Sequence, residues 1–286
     1  MIGRAWRRLK RALDPEQGLA TTPAERWARV LALLERADPR TVTLAERLLE
    51  AGQAGEALSE AERFQLAEAL SAAVYPKLKF SEFARTFLED EPFLAYYRRF
   101  MDPDNWHSLD RKYVVRELLA QVAHLEGDLA ECGVFRGATA YLLCEATRGT
   151  GKRVHLFDSF AGLSRPEAGD GDYWREGGLR AEEAEVRRSL AGFDQFALYP
   201  GWIPARFPEV EARRFSFVHV DVDLYQPTRD SVEFFYPRLV PGAVLVLDDY
   251  GFATCPGARR AVDEFFSARP ERVLKLPTGQ AFVIKR

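Results

Sequence analysis

Paired aspartates follow two apolar runs of the sequence. Asp221 and Asp223 come after FSFVHV, and Asp248 and Asp249 come after GAVLVL. If these runs are neighbouring parallel strands, their ends lie about 5 Å apart and the four carboxylates crowd one edge of a sheet. Like charges this close raise one another's pKa or bind a cation, and aspartate oxygens suit a hard ion. We predict a Mg²⁺ site at Asp221, Asp248 and Asp249, with Asp223 further out; the alternative is a set of helix caps and solvated acids.

A second candidate site follows an earlier apolar run, in the segment ECGVFRGAT. Gly133 and Gly137 allow a ligand to approach the backbone closely. Glu131 suits a cationic amino group better than a phosphate. Asp158 ends the next apolar run, where a carboxylate can accept both hydroxyls of a ribose. Together these residues fit an adenosyl amino acid better than a nicotinamide dinucleotide, although each acid alone could equally be a helix cap or a solvated strand end.

The remaining candidates for chemistry are less specific. His219 shares a strand face with Asp221, but a hydrogen-bonded core histidine is the simpler interpretation. The segment 164–180 is rich in glycine, charge and aromatics, and it could be a lid with Tyr173 and Trp174 as contacts or a plain surface loop. The sequence has no GxSxG, P-loop or HExxH motif, which removes the usual signatures of serine hydrolysis, Walker-type phosphoryl transfer and helix-borne zinc.

The elements that must position these residues alternate between strand and helix from about residue 108 onward, which is typical of a parallel sheet covered on both faces. We predict strands at 128–133, 153–158, 196–199, 215–221 and 242–248. A last helix near 257–268 precedes two short runs separated only by Pro277-Thr278-Gly279. Because this link is too short for a crossover, the two runs must form an antiparallel hairpin. The expected fold is α/β: a Rossmann-like seven-stranded sheet with an antiparallel last strand and an N-terminal helical module.

The N-terminal part, 1–104, is predicted to be helical, and 105–286 is predicted to be the sheet domain. Helix-start signals occur near residues 23, 44 and 60. Residues 1–13 contain five Lys or Arg and no acid, so this segment could be a basic amphipathic helix in weak contact with a membrane surface, or simply a frayed arm. The aromatic stretch 93–100 could roof a ligand cavity, but core packing is the more usual role.

The amino-acid composition argues against several classes of protein. The 286 residues include 40 Lys and Arg against 43 Asp and Glu, a net charge of -3, so a basic field for nucleic acid is absent. The three cysteines have no CxxC spacing, which argues against zinc or a disulfide framework and favours a reducing compartment. No apolar run is long enough to cross a bilayer, and the first residues lack a signal-peptide core. We therefore expect a cytoplasmic protein.

Five blocks of the sequence share the order and spacing of one known family. They are GDLAECGVFRGATA, LFDSFAGL, LYPGWIPARFP, VHVDVDLYQPT and PGAVLVLDDYG. The blocks resemble the macrocin O-methyltransferase family, which methylates sugar hydroxyls of antibiotics such as macrolides and aminocoumarins. The resemblance covers about residue 108 to the C-terminus. It implies a class I methyltransferase sheet, S-adenosylmethionine as methyl donor and Mg²⁺ bound by three aspartates, which map onto Asp221, Asp248 and Asp249.

The same resemblance implies roles for individual residues. Asp221 would be the catalytic base. The donor's methionine part would lie along Glu131, Gly133, Gly137 and Thr139, its ribose by Asp158 and Ser159, and its adenine by Gly201 and Trp202. This sequence has Asp-Val-Asp where the antibiotic enzymes tend to have Asp-Gly-Asp, and a proline expected after GL is displaced to Pro166. These departures concern the acceptor rather than the donor.

The sequence thus predicts a Mg²⁺-dependent, S-adenosylmethionine-dependent O-methyltransferase. Its acceptor would be a small hydroxylated molecule, such as a sugar of a glycoside or glycoconjugate. The N-terminal helices or the segment 164–180 could shape the acceptor pocket or form a homo-oligomer interface. Two alternatives remain open at this point: a nicotinamide-dependent oxidoreductase, against which the missing GxGxxG and the terminal hairpin count, and a non-catalytic binding protein that retains the fold.

Overall fold

The computed structural model describes residues 86–101 and 108–286, together with positions 43, 46, 47, 50 and 59. The chain divides into two compact units, 1–89 and 90–286. The helix starts predicted near 23 and 60, and the basic segment 1–13, lie outside the described residues. Of the helix predicted to start near 44, positions 43, 46, 47 and 50 are described and are helical. Within the described part, no helix combines the length and the apolar character that crossing a membrane would require.

The second unit contains a seven-stranded sheet. Its strands are β1 (Asp128–Cys132), β2 (Val154–Asp158), β3 (Phe196–Pro200), β4 (Phe215–Val220), β5 (Leu239–Leu247), β6 (Leu274–Lys275) and β7 (Ala281–Ile284). Their order across the sheet is β3-β2-β1-β4-β5-β7-β6. The first five strands are parallel, and β7 pairs antiparallel with both β5 and β6. The predicted sheet and its terminal hairpin are confirmed.

The ends of β1 to β5 lie within one residue of their predictions, except the start of β5. β5 begins at Leu239 rather than at 242, because Leu239 pairs with Phe215 before the register shifts along β4. Gly242 has a φ of 84°, and its N–H donates to the carbonyl of Lys285. Pro241 and Gly242 form an irregularity within the strand.

Helices cover both faces of the sheet. They are α1 (Glu91–Phe100), α2 (Leu109–Val122), α3 (Ala138–Thr147), α4 (Glu183–Ser189), α5 (Tyr225–Phe235) and α6 (Pro256–Phe266). α2 and α3 pack on one face, whereas α5 and α6 pack together on the other. The core of the α5 side is strongly aromatic, with Phe157, Phe207, Phe215 and Phe235 in edge-to-face contact. The α2 side carries the polar groups of the site.

The helix α1 packs within the sheet unit. Its face Phe93, Tyr96 and Phe100 is buried, with Phe93 against Tyr113 and Phe100 against Tyr141. The hydroxyl of Tyr96 donates to the carbonyl of Ala138 at the start of α3. The division at 89 and 90 therefore places α1 with the sheet, whereas the predicted boundary at 104 placed it with the N-terminal helices. The aromatic face of α1 is core packing.

The position of α1 can be tested through stability. Phe93 is 2% exposed, so Phe93→Ala should lower the free energy of unfolding of the sheet unit by about 3–5 kcal/mol. Arg98 lies on the same helix and pairs with Glu91 in solvent, and Arg98→Ala should change it by less than about 0.5 kcal/mol. Urea unfolding followed by circular dichroism measures both. Equal effects of the two substitutions would contradict the packing of α1.

Candidate active site

The carboxyl ends of β1, β4 and β5 meet in register. Cys132 is opposite Val220, and Val220 is opposite Leu247. The ladder continues by one residue, because the Asp221 N–H donates to the Cys132 carbonyl and the Asp248 N–H donates to the Val220 carbonyl, both at 2.9 Å. The prediction that the two acidic strand ends lie side by side is confirmed by this pairing. β1 and β4 are also where the strand order reverses, the usual place for a ligand in such a sheet.

The loop after β1 fits tightly against this edge. Gly133 has a φ of 85°, and a Cβ added there would lie 1.8 Å from the carbonyl oxygen of Asp221. Only glycine allows this approach. Gly137 also has a positive φ and precedes α3 as its N-cap. The predicted donor loop and the predicted base are therefore in direct backbone contact.

Asp158 holds the same loop in place. Its Oδ2 accepts from the backbone N–H groups of Val134 and Phe135 at 2.8 and 3.0 Å, and its Oδ1 accepts from the N–H of Phe160 at 2.7 Å. Ser159 is engaged in its own turn, where its hydroxyl donates to the carbonyl of Gly162. The structure thus shows a loop-anchoring role for Asp158, and its contact with a ribose stays a prediction.

The other predicted donor residues border this loop. Thr139 is buried in the first turn of α3, and its hydroxyl oxygen accepts from the ammonium group of Lys112 at 2.6 Å. Gly201 follows β3, and its N–H donates to the carbonyl of Asp158. The ring of Trp202 is 47% exposed. In the strand order, Gly201 and Trp202 follow β3, which lies on the other side of β2 from β1.

Among the four aspartates that follow β4 and β5, Asp248 has the most hydrogen-bond partners. It is fully buried. Its Oδ1 accepts from Gln280 at 2.7 Å and lies 3.2 Å from Nε2 of His219, while its Oδ2 accepts from Arg111. Burial alone would raise its pKa, but the guanidinium of Arg111 and the hydrogen bond from His219 hold the pKa well below its usual value. Asp248 is therefore a compensated anion.

The neighbouring aspartates are not compensated in this way. Burial raises the pKa of Asp221, and the charge of Asp248 raises it further. Burial and the charge of Asp221 raise the pKa of Asp223 to about 8. The pKa of Asp249 is raised well above its usual value by burial and by Asp223 and Asp221. Negative charge is in excess here, which is the condition that favours a bound cation.

The acids fall into two groups of possible metal ligands. One group contains His219, Asp221 and Asp248, and the other contains Asp223, Asp249 and Cys255; within each, ligand atoms lie within 4.8 Å of one another. The structure therefore brings Asp221 to Asp248, but it places Asp249 with Asp223, whose N–H donates to Asp249 Oδ2 at 2.8 Å. Asp223 has a φ of 59°, a strained backbone of the kind often found at functional sites.

The predicted ligands nevertheless suit a hard ion. Oδ2 of Asp248 accepts one hydrogen bond, from Arg111, and a carboxylate oxygen has room for a second interaction. Burial and neighbouring carboxylates raise the pKa values of Asp221 and Asp249, and a bound cation would favour their ionised forms. Oxygen donors of this type are the ones that Mg²⁺ prefers.

Glu131 is buried beneath the loop, with 1% of its surface exposed. Its Oε1 lies 3.3 Å from Nδ1 of His219. Its Oε2 is buried and has no hydrogen-bond partner among the described residues. Burial raises the pKa of Glu131, and the imidazole of His219 beside it opposes the rise. A buried carboxylate oxygen without a partner fits the ammonium group of an amino acid.

The sequence did not reveal several residues of the site. Arg111 and Lys112 of α2 are both buried. A signal existed for Lys112, which continues the buried stripe Val115, Leu119 and Val122 by one helical turn. Gln280 lies just before β7, and nothing in its surroundings in the sequence marks it. Cys255 was counted only as an isolated cysteine.

The segment 164–180 packs beside the acidic groups. Asp170 is buried, and its Oδ1 accepts from the backbone N–H of Tyr225 at 2.7 Å. The indole N–H of Trp174 donates to Sγ of Cys255 at 3.3 Å, and the thiol of Cys255 donates to Asp223 at 3.5 Å. Tyr173 meets Trp174 edge to face. The aromatic pair is thus linked to the acidic edge by two hydrogen bonds.

Comparison with known proteins identifies the family. The family model described as Macrocin-O-methyltransferase (TylF) matches residues 42–277. The chain belongs to the macrocin O-methyltransferase family. The resemblance read from the five sequence blocks is confirmed, and the family match begins well before residue 108.

Two curated members of this group are similar in sequence. One, from Streptomyces olivaceus, is 8-demethyl-8-(2,3-dimethoxy-alpha-L-rhamnosyl)-tetracenomycin-C 4'-O-methyltransferase, which is 31% identical over 51% of this chain and 61% of its own length. The other, from Streptomyces niveus, is demethyldecarbamoylnovobiocin O-methyltransferase, which is 30% identical over 57% of this chain and 69% of its own. The chain thus spans about three fifths to two thirds of these relatives.

Solved structures agree with the fold. The O-methyltransferase NovP is 26% identical, with a TM-score of 0.54 over 63% of this chain and 83% of NovP. The calicheamicin methyltransferase CalS11 is 17% identical, with a TM-score of 0.54 over 88% of this chain and 96% of CalS11. The sheet is therefore a class I methyltransferase sheet.

The contact between Gly133 and Asp221 yields a prediction about stability. Gly133→Ala forces a Cβ into backbone and should destabilise the sheet unit by more than about 2 kcal/mol beyond the effect of a left-handed alanine alone. Gly149 is the matched control, because its φ is 72° and nothing lies within 4 Å of an added Cβ. Urea unfolding of Gly133→Ala and Gly149→Ala measures the difference. Indistinguishable losses would show that the loop does not press on Asp221.

Proposed function

We propose that this protein transfers the methyl group of S-adenosylmethionine to a hydroxyl of a small, sugar-containing acceptor, with Mg²⁺ at the acidic edge. The observation that carries the proposal is the backbone contact between the loop of Gly133 and Asp221. Family membership supports methyl transfer. The relatives whose names include a rhamnosyl group or novobiocin support a glycosidic acceptor.

The chain's own residues suit the binding of the donor. Oε2 of Glu131 would accept from the ammonium group of the donor, and the backbone around Gly133 would lie against its methionine part. Asp158 fixes the loop and would face the ribose, with Trp202 beside the adenine. S-adenosylmethionine, when bound, supplies a methyl group on a positively charged sulfur. The interior position of Glu131 excludes water from that end of the donor.

Asp221 would remove the proton of the acceptor hydroxyl. It follows β4 directly, beside Asp248, and burial and the charge of Asp248 raise its pKa. The oxygen of the acceptor would attack the methyl carbon as its proton passes to Asp221. The donor leaves as neutral S-adenosylhomocysteine, so charge and atoms balance. Mg²⁺, held by Asp221, Asp248 and Asp249, would stabilise negative charge on the attacking oxygen.

The proposed activity is tested directly with radiolabelled donor. Wild-type protein should transfer labelled methyl from S-adenosylmethionine to members of a glycoside and nucleotide-sugar panel, and EDTA should abolish transfer until Mg²⁺ is restored. Donor binding without transfer to any acceptor would favour a non-catalytic protein. Transfer that is unaffected by EDTA would remove the metal from the proposal while leaving the methyltransferase in place.

The role of Asp221 gives a second measurement. Asp221→Asn should lower kcat by about 10²–10⁴-fold, the usual contribution of a positioned general base. The affinity for S-adenosylhomocysteine, measured by calorimetry, should change little, because Asp221 touches the donor loop through its backbone carbonyl. Asp194→Asn makes the same chemical change at an exposed site before β3 and should leave kcat unchanged. A kcat within threefold of wild type for Asp221→Asn would exclude it as the base.

Trp174 would form one wall of the acceptor pocket. Its ring is held at the acidic edge through Cys255, and aromatic rings beside polar groups are suited to sugar rings. Trp174→Ala should raise KM for the glycoside that is methylated by about tenfold, whereas Trp174→Phe keeps a ring and should raise it less. Steady-state kinetics separate KM from kcat. Equal KM values for wild type and Trp174→Ala would place the acceptor elsewhere.

A further inference from the structure

One buried imidazole bridges the two halves of the site. His219 is 0% exposed. Its Nδ1 lies 3.3 Å from Oε1 of Glu131, and its Nε2 lies 3.2 Å from Oδ1 of Asp248. Glu131 is the penultimate residue of β1 and Asp248 follows β5, with β4 between the two strands. The three side chains form a carboxylate–imidazole–carboxylate chain across three neighbouring strands.

The position of His219 follows from the sheet. His219 is opposite Glu131 on β1 and opposite Val246 on β5. Alternate residues of a strand share a face, so Asp248 projects to the same side as Val246. The ring therefore lies between two acids that come from strands on either side of it. A plain core histidine would need only one such partner.

In each acid, one carboxylate oxygen lies beside the imidazole ring of His219, and the other oxygen points elsewhere. Glu131 has Oε1 near His219 and its buried Oε2 without a partner in the described part of the chain. Asp248 has Oδ1 near His219 and Gln280, and Oδ2 toward Arg111. Because a carboxylate is planar, fixing one oxygen restricts the direction of the second. The ring thus sets where Oε2 of Glu131 and Oδ2 of Asp248 point.

We infer that His219 is a positioning residue that orients Glu131 toward the ammonium group of the methyl donor and Asp248 toward the bound cation. This inference rests on the proposed function, because it uses the donor and the cation assigned there. One ring serves both sites. Its removal should therefore weaken donor binding and cation binding together, although neither proposed ligand set, Glu131 for the donor or Asp221, Asp248 and Asp249 for the cation, includes His219.

The test measures binding rather than turnover. Calorimetry gives the affinity of the full-length protein for S-adenosylhomocysteine, and electron paramagnetic resonance gives its affinity for Mn²⁺ without donor. His219→Val removes the Nε2 hydrogen bond to Asp248 and the Nδ1 contact with Glu131, and it should weaken each affinity by about 10–100-fold, the usual effect of losing a group that orients a ligand-binding side chain. His219→Gln retains one donating amide and should recover part of one affinity.

A second buried histidine provides the matched control. His155 lies in β2, with Nε2 3.0 Å from Asp128 and Nδ1 2.9 Å from the hydroxyl of Tyr199. Asp128 begins β1, at the opposite end of the sheet from the site. His155→Val should lower the melting temperature, as any loss of a buried hydrogen-bonded group does. It should leave both affinities within about twofold of wild type.

The outcomes separate the inference from the function it rests on. Wild-type protein that binds no S-adenosylhomocysteine overturns the proposed function and this inference with it. Wild-type binding together with unchanged affinities in His219→Val overturns the inference alone, and leaves His219 with a purely structural role like that of His155. If His219→Val does not fold, His219→Gln is compared with His155→Gln. A larger loss of affinity for S-adenosylhomocysteine or Mn²⁺ in His219→Gln supports the positioning role. Equal affinities in the two variants overturn it.

Discussion

The repulsion among carboxylates at one edge of the sheet governs the arrangement of this site. Strand ladders that run one residue past β4 and β5 bring Asp221 and Asp248 side by side, and the following turns add Asp223 and Asp249. The fold compensates this charge unevenly. Asp248 receives Arg111, His219 and Gln280, whereas the other three aspartates keep raised pKa values. The hydrogen bonds of Asp248 are therefore met by the protein, whereas the raised pKa values of Asp221, Asp223 and Asp249 leave the adjoining positions suited to a cation.

Much of this arrangement could be predicted from sequence because parallel sheets have strict rules. Buried parallel strands are continuous apolar runs, and acids directly after two such runs must meet at the carboxyl edge if the strands are adjacent. The short Pro277-Thr278-Gly279 link allowed only a hairpin. The pairing observed for β4, β5 and β7 confirms both inferences. These features depend on local pattern and on strand order alone.

The compensating groups could not be predicted in the same way. Arg111 and Asp248 are 137 residues apart in sequence, and their contact depends on how α2 crosses β5. Gln280 reaches Asp248 only because β7 lies beside β5. The grouping of Asp249 with Asp223 and Cys255, rather than with Asp221, depends on the left-handed backbone at Asp223. Side-chain partners across elements follow from tertiary packing, which residue types and spacing do not specify.

The acidic groups that lack a partner lower the stability of the ligand-free protein, and the same groups would bind cationic ligands. A buried carboxylate oxygen without a partner, such as Oε2 of Glu131, costs about 1–3 kcal/mol in the empty protein. The cost is recovered when a cationic group binds there, so ligands of opposite charge should bind the folded state selectively and stabilise it by mass action. A lysine or arginine of the protein beside Oε2 of Glu131 or beside the aspartates would remove this free-energy cost. It would also remove the affinity for a cationic ligand. The described part of the chain gives Asp248 hydrogen-bond partners from α2, β4 and the residue before β7, whereas Oε2 of Glu131 keeps no partner and the pKa values of Asp221 and Asp249 stay raised.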